Sequence, residues 1–308
     1  MGKYIVRRLL QMIPVLIGTT LLLYYLAFAM PGDPTAGLCG DRQCPAQYVA
    51  QFKAEHHLDD PFFVQYFYYL GDLLRGNFGT LLNGNTVVHE LAFRYPTTLK
   101  LTIIAVLFEA VVGILAGILA GIRKGKTADT VVIIVTLLLL SVPVFVLGSL
   151  AQLVFGIKLG WFPVTAGSGN IHDLLLPGMV LGAMSLAYST RLTRTSLVEN
   201  LRADYVRTAK AKGLSNVRAL GVHALRNSLL PVITYIGASF GGLMGGAIVT
   251  ERLFNIQGIG NFIWTNGILG KQRVAIVGPV TVLVLVFLLC NLIVDILYAR
   301  LDPRISHD

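Results

Sequence analysis

The chain has 308 residues, of which 55% are hydrophobic and 13% charged, with a mean hydropathy of +0.69. An apolar excess of this size, spread over several long uninterrupted runs, excludes a soluble globular domain and predicts an all-α membrane protein. A β-barrel is disfavoured because the runs do not alternate. The net charge of +9 predicts no nucleic-acid partner, since Lys and Arg collect at the cytoplasmic ends of membrane spans.

The first predicted span lies within residues 1–30 and follows a basic start that contains Lys3, Arg7 and Arg8. No small-residue cleavage pattern follows it, so we expect an uncleaved helix whose amino terminus is cytoplasmic. The span ends at the turn sequence MPGDP, where proline fixes and glycine permits the change of direction. Residues 31–96 are too many for a simple connection and predict a small extracytoplasmic cap.

The middle of the cap is rich in aromatic residues between positions 62 and 69. Such a cluster is either the apolar core of the cap, which we favour, or a belt at the membrane interface. The cap also carries Cys39 and Cys44, which are close enough in sequence to form a disulfide in an oxidising compartment, although spacing does not fix their geometry. Cys290 lies in a hydrophobic run and is expected to pack as a small apolar residue.

The membrane core is predicted over residues 97–300 as five further helices. The second span, residues 97–122, carries glycines at helical spacing that allow a neighbouring helix to approach closely. These glycines are Gly113, Gly117 and Gly121. The third span, residues 130–155, is interrupted by the sequence SVP, and we expect Pro143 to kink it.

The last three spans are predicted at residues 174–188, 229–250 and 277–298, followed by a short tail at 301–308. Most of the 25 Lys and Arg residues then fall in the two ends, in the segment after span two and in the segment after span four. Because positive charge marks the cytoplasmic side, this six-helix topology places both termini in the cytoplasm.

Ionisable residues inside the spans are sparse. Glu109 faces either a functional cavity or a structural partner, and Asp295, near the inner interface, is expected to reach Arg300 or water. The sequence contains no P-loop, GxSxG or HExxH motif, so no catalytic residue is predicted, and any energy for active work must come from an ion gradient or a partner. The sparse charges disfavour a secondary transporter that needs no ATPase, and a membrane-embedded enzyme lacks a catalytic set.

A basic, helix-compatible segment lies between spans four and five, at residues 191–228, on the side that the topology makes cytoplasmic. Asp204 and Gly213 bound a first short helix, and a second is expected over residues 216–225. This hairpin either docks on a partner protein or presents a solvated basic face to anionic lipid headgroups.

The run DYVRTAKAKGLS, from Asp204, followed by HALRNSLLPVIT, from His223, resembles the cytoplasmic EAA loop of ABC importer permeases and is most similar to the dipeptide, oligopeptide and nickel branch. Five further motifs agree in order, MPGDP, SVPVF, TRLTRTS, ERLFNIQGIGNF and DPRI, so the resemblance covers nearly the whole chain. Two features depart from the general pattern. The Glu and first Ala of the motif fall on Arg207 and Thr208, and Arg226 stands where many permeases have proline; this branch tolerates both.

The resemblance implies a type I ABC importer permease fold, a multi-pass location in the bacterial cytoplasmic membrane, and import of dipeptides or short peptides. It implies no directly bound cofactor or metal, with ATP and Mg on partner subunits. The implied partners are a second homologous permease subunit, two ATP-binding domains and an extracytoplasmic substrate-binding protein. We expect the binding protein to meet the cap and the loop at 251–276.

The resemblance also assigns residues to roles. The hairpin residues expected to couple to the ATP-binding subunits are Asp204, Tyr205, Arg207, Ala209, Lys210, Lys212, Gly213, Leu214, His223, Arg226 and Asn227. The residues expected near the translocation pathway are Ser141, Pro143, Gly237, Gly241 and Gly245. The glycine stripe of the fifth span either lines the seam between two permease subunits, which we favour, or packs against a helix of the same chain.

Overall fold

The computed structural model describes residues 2–29, 44–55, 57, 59–81 and 83–301, and within them the regular elements are helices apart from one isolated bridge between Thr80 and Thr86. In chain order these are α1 (Gly2–Tyr24), α2 (Ala46–Glu55), α3 (Phe62–Leu74), α4 (Val87–Ile122), α5 (Thr127–Ser141), α6 (Val144–Ala151), α7 (Ile171–Arg202), α8 (Asp204–Ala211), α9 (Asn216–Arg218), α10 (Arg226–Leu253), α11 (Ile259–Phe262) and α12 (Val274–Leu301). Short π-helical segments follow α1, α6, α9 and α11, at Tyr25–Ala29, Gln152–Lys158, Ala219–Leu225 and Ile263–Leu269. The MPGDP turn, the Cys39–Cys44 pairing and residues 302–308 of the tail lie outside the described residues.

Within the described residues, five helical stretches are long and apolar enough to cross a membrane. They are Ile5–Phe28, Val87–Ile122, Ile171–Arg202, Asn216–Leu253 and Val274–Ile296. The pair Thr127–Ser141 and Val144–Lys158 passes the same test together and gives a sixth crossing if it counts as one span. The predicted all-α membrane fold with up to six spans is therefore confirmed.

The third predicted span is broken rather than kinked. Its two halves, α5 and α6, meet at an angle of 106°. Val142 between them is extended, with ψ of 127°, because the ring of Pro143 disfavours the helical conformation of the residue before it. The prediction of one continuous kinked helix was wrong at this point.

Two spans are longer than predicted. Helix α4 begins at Val87 instead of residue 97, since the Thr86 side chain caps it by accepting a hydrogen bond from the His89 amide at 3.3 Å, and Pro96 is accommodated inside the helix. Helix α7 runs to Arg202 instead of residue 188, because small polar side chains beyond that residue, such as Thr193, are buried against α4.

Glycines bring α4 and α7 together as a parallel pair. A Cβ on Gly117 would lie 2.5 Å from the Thr193 Cβ, and one on Gly113 would lie 2.4 Å from the Ser189 hydroxyl. From the other helix, a Cβ on Gly182 would lie 2.4 Å from the Ala105 carbonyl oxygen. The predicted close approach of a helix to the α4 glycines is confirmed, with α7 as the partner.

The aromatic residues of the predicted cap divide between two environments. The Tyr66 hydroxyl is buried, 2.9 Å from the Thr20 hydroxyl of α1 and 3.1 Å from the Ile17 carbonyl oxygen. Phe63 and Phe67, by contrast, are exposed. We favoured the interpretation of this cluster as the core of a separate cap. The structure differs from it, because α3 buries one of its faces against the first span.

The beginning of α1 and the end of α12 lie at the same end of the bundle. The Arg8 guanidinium contacts the Asp295 carboxylate at 3.2 Å. We expected Asp295 to reach Arg300, whose side chain is outside the described part of the chain, or water. The observed partner is on the other terminal helix, and the cytoplasmic location of both termini stays a prediction.

Candidate coupling hairpin and translocation face

The basic segment forms a hairpin in which α8 packs on the carboxy-terminal end of α7. Val206 and Ala209, on one face of α8, are buried, and Val206 belongs to a cluster with Leu197 of α7 and two alanines, Ala219 and Ala224, of the returning arm. The remaining α8 side chains are exposed. The alternation of apolar and polar residues along DYVRTAKA therefore gives a helix with one anchored face and one free face.

The turn of the hairpin requires glycine at position 213. Gly213 has φ of +87°, a left-handed conformation that other residues adopt at a cost. Its amide donates to the Lys210 carbonyl at 2.9 Å, and the Leu214 amide donates to the Ala209 carbonyl at 3.2 Å. These two bonds form a Schellman motif, which satisfies the last carbonyls of α8 and fixes the direction of the chain leaving it.

We predicted that the returning arm is a separate short helix, and this prediction was wrong. The Ser215 side chain caps it by accepting a hydrogen bond from the Arg218 amide at 3.4 Å, and the helical stretch then continues from Asn216 to Leu253. Consequently, the returning arm and the fifth span form one continuous helical stretch, and α8 is attached to α7 across a single extended residue, Ala203.

The predicted coupling residues occupy different positions on the hairpin. Those exposed are Asp204, Tyr205, Arg207, Lys210, Lys212, Gly213, Arg226 and Asn227; Leu214 and His223 are half-buried; and Ala209 is buried in the hairpin. Tyr205 donates a hydrogen bond to Asn200, and Arg207 lies 3.5 Å from Asp204. The sequence interpretation missed Val217 and Val222, which are exposed on the returning arm, Val217 to 81%. The sequence did carry a signal for these two valines, because they are isolated apolar residues in an otherwise polar segment.

A groove of about 400 Å³ lies where the returning arm becomes α10, lined by Val222, His223, Arg226, Asn227 and Leu230. It joins the exposed valine surface to the inner end of the fifth span. Three of the predicted coupling residues therefore line one concave surface rather than the tip of the hairpin.

The end of α7 that carries the hairpin is tied to α5. The Arg194 guanidinium contacts the two carboxylate oxygens of Asp129 at 2.5 and 2.7 Å, and the Gly125 amide donates to the same carboxylate at 2.8 Å. The Asp129 side chain is only 4% exposed. The sequence interpretation did not single out Asp129, because an acid at the start of a helix is commonly a solvated end charge.

The α10 glycines do not share one environment. A Cβ on Gly241 would lie 2.3 Å from a Phe287 ring carbon, and one on Gly237 would lie 2.4 Å from a Val294 methyl carbon. These two glycines pack against α12 of the same chain. This corrects the interpretation we favoured, in which they line the seam between two permease subunits. Gly245 is exposed with open space around it, as is Gly242. At the α5–α6 break, Ser141 and Pro143 are exposed, and the Ser141 hydroxyl donates to the Leu137 carbonyl at 2.8 Å.

The segment after α10 folds into the core instead of forming an outer surface loop. Glu251 is fully buried, and its carboxylate accepts hydrogen bonds from the Thr98 hydroxyl at 2.6 Å and from the Asn261 amide at 3.0 Å. The Thr98 hydroxyl accepts one from the Ile259 amide at 2.9 Å. Gly258 leaves room for the carboxylate, because a Cβ there would lie 2.3 Å from it. Only the exposed part of residues 251–276 is therefore available to a partner, and contact of the binding protein with this segment stays a prediction.

Glu109 is buried between helices. The Ser239 hydroxyl of α10 donates to its Oε2 atom at 2.9 Å, and its Oε1 atom has no hydrogen-bond partner among the described residues. The structure therefore favours the structural-partner interpretation of Glu109 over the functional cavity.

Two family models match the chain. The model of the binding-protein-dependent transport system inner membrane component matches residues 113–307. A second model, for the amino-terminal part of such membrane components, matches residues 1–102. The chain belongs to this family of inner membrane transport components. Its multi-pass location in the inner membrane follows, and membership gives no support to the alternative of a secondary transporter that needs no ATPase.

Relatives and solved structures agree with this assignment. The permease is 36% identical to the Di/tripeptide transport system permease protein DppB of Pseudomonas aeruginosa, over 100% of this chain and 99% of the relative. It is also 36% identical to the Glutathione transport system permease protein GsiC of Salmonella choleraesuis, over 100% of both. The MetNI methionine ABC transporter, solved in inward-facing conformations, matches 69% of this chain and 96% of its own, with a TM-score of 0.59 and 16% identity. That likeness confirms the type I importer permease fold.

Proposed function

We propose that this permease is the membrane subunit of an ATP-driven importer of dipeptides or short peptides. The observation that carries the proposal is the rigid hairpin, which combines an anchored α8, a Schellman turn at Gly213 and a free face at the inner end of two spans. The peptide substrate class is supported by the names of the relatives, which are permeases for dipeptides, tripeptides and glutathione. ATP and Mg belong to partner subunits in this proposal.

The hairpin is proposed to dock on an ATP-binding subunit. Val217 and Val222 are exposed at the polar end of the bundle, where burying apolar area against a protein is favourable and contact with lipid tails is not available. Closure of the ATP-binding subunits then pushes on α8 and the returning arm. Since both arms continue directly into spanning helices, the displacement reaches α7 and α10 without an intervening flexible linker.

The translocation pathway is proposed to run along the open face of α10, between this chain and a second permease subunit. Ala238, Gly242 and Gly245 are exposed at helical spacing on that face, and small residues allow a second helix or a peptide backbone to approach. The broken α5–α6 pair, with Ser141 and Pro143 at its corner, is the proposed hinge. The extracytoplasmic binding protein is proposed to dock on the cap helices α2 and α3.

Reconstitution tests the energy source and the docking surface together. Proteoliposomes that contain the permease and its partner subunits should take up a labelled dipeptide with ATP present and should continue when ionophores dissipate ion gradients. Val217→Asp should abolish copurification of the ATP-binding subunits. Leu74→Asp is the matched control, because Leu74 is 83% exposed at the end of α3 and outside the hairpin. Uptake that follows an ion gradient without ATP would contradict the proposal.

A further inference from the structure

A cavity of about 390 Å³ lies away from the hairpin and from the open face of α10. Its walls come from the end of α1, the helices α2 and α3, the chain at 77–81 and the first turns of α12. The α12 wall consists of Val274, Val277 and Gly278, whereas Phe287 and Val294 of the same helix face α10. The cavity is therefore distinct from the proposed translocation path.

Aromatic rings from three helices dominate the cavity lining: Tyr24, Phe28, Tyr48, Phe52, Tyr68 and Tyr69. Asp72 is the one acidic residue among the described lining residues, and none of these is Lys or Arg. His57 also lines the cavity, with its ring stacked on Tyr68 and its Nδ1 atom 3.2 Å from Asp60.

Within the described part of the chain, Asp72 has no partner for its negative charge. Among the described residues its carboxylate makes no hydrogen bond or ion pair, although the side chain is partly buried in the cavity wall. Asp72 belongs to α3, where Tyr69, one turn earlier, holds its own hydroxyl 3.3 Å from the Thr281 hydroxyl. Burial raises the pKa of Tyr69 to about 12, so Tyr69 presents a neutral phenol ring to the same cavity.

An unpaired carboxylate among aromatic rings is complementary to a positive charge with an apolar body. The faces of aromatic rings carry negative potential and attract ammonium groups within about 6 Å of the ring centre. A carboxylate in a partly desolvated wall adds Coulomb attraction that bulk water would weaken. A neutral or anionic ligand gains neither contribution.

We propose that this cavity is a binding site for a small organic cation, namely a primary amine that bears an apolar or aromatic group. The ammonium group lies against Asp72, and the apolar body lies among the rings of Tyr68, Tyr69 and Phe52. The concave walls on several sides suit a molecule of this size.

Calorimetric titration of the intact permease complex in lipid nanodiscs, without ATP, tests the charge requirement. The probes are phenethylamine, the uncharged 2-phenylethanol and the anionic 3-phenylpropionate, which share a ring and a chain of similar length. The amine should bind at least about tenfold more tightly than the alcohol, a difference of about 1.4 kcal/mol, and the acid should not bind. Equal affinity for amine and alcohol would overturn the proposal.

Two isosteric variants locate the binding. Asp72→Asn should weaken phenethylamine binding about tenfold, and Asp59→Asn, which removes the same charge from an exposed position outside the cavity, should leave it unchanged. Tyr68→Ala should also weaken binding, since it removes one ring of the lining. All three variants are compared with the parent by thermal unfolding. Unchanged amine binding in folded Asp72→Asn protein would refute the site.

Discussion

Arg194 of α7 holds the Asp129 carboxylate of α5 through two hydrogen bonds, at the membrane end that also carries the hairpin. The Asp129 side chain is almost fully buried and that of Arg194 is 23% exposed. Since α5 continues into the 106° break before α6, this ion pair joins the helix that leads into the hairpin to the broken span. In the proposed coupling mechanism, a movement of the hairpin would therefore reach α5 as well as α10.

We expect the double replacement of this ion pair to cost less free energy of unfolding than the two single replacements added together. Asp129→Asn or Arg194→Gln leaves one partly buried group without its partner, at a cost of about 2–3 kcal/mol. The double variant should recover about 1 kcal/mol or more relative to the sum of the single variants. Thermal unfolding of the permease complex in nanodiscs measures both quantities. Strictly additive losses would show that the contact contributes no pairwise energy.

Replacement of Gly213 is expected to uncouple transport from ATP hydrolysis. Val at this position disfavours the left-handed conformation by about 1–2 kcal/mol, which reduces the population of the Schellman turn about tenfold. Uptake should fall while ATP hydrolysis by the partner subunits and expression continue. Gly213→Asn is the matched control, because Asn tolerates positive φ, and it should retain most uptake. Normal uptake by Gly213→Val would argue against a role for this turn in coupling.

The Glu251 network is expected to hold the segment after α10 in the core. Glu251→Ala leaves the Thr98 hydroxyl and the Asn261 amide without their acceptor and should destabilise the protein by about 2–5 kcal/mol. Glu251→Gln keeps one acceptor and should lose less. The exposed Glu199→Ala is the control and should leave the melting temperature unchanged. The loss of stability should decrease in the order Glu251→Ala, Glu251→Gln, Glu199→Ala. Any other order would disprove the assigned hydrogen bonds.

Replacement by alanine should change the stability of the protein in opposite directions at Gly241 and Gly245 of α10. Gly241→Ala forces a methyl group against Phe287 and should destabilise the protein by about 1–3 kcal/mol. Gly245→Ala meets open space and should stabilise it by up to about 1 kcal/mol through higher helix propensity. If Gly245 lines the proposed seam, Gly245→Leu should lower uptake while the permease remains folded. Uptake and thermal stability of the three variants decide between the two environments.

The sequence predicted the order of the spans, and five of the six predicted spans are single helical stretches, because each is a continuous apolar run. It also predicted the turn at Gly213, since a glycine after a run of helix formers is a local signal for a left-handed cap. It did not predict where α4 begins or where α7 ends. Those limits depend on Pro96 being accommodated within a helix and on Thr193 finding a buried place against Gly117, and both are decided by neighbouring helices.

The sequence by itself determined that this chain crosses a membrane, that its basic hairpin lies at one end, and that its motifs resemble those of importer permeases. These properties reside in local composition and in short ordered motifs. Only the tertiary structure decided that Gly241 packs inside the chain while Gly245 is open, and that Glu251 is buried against Thr98. The reason is physical: identical glycines at helical spacing acquire their roles from which helix lies opposite, and a charged side chain is buried only where distant residues supply its hydrogen bonds.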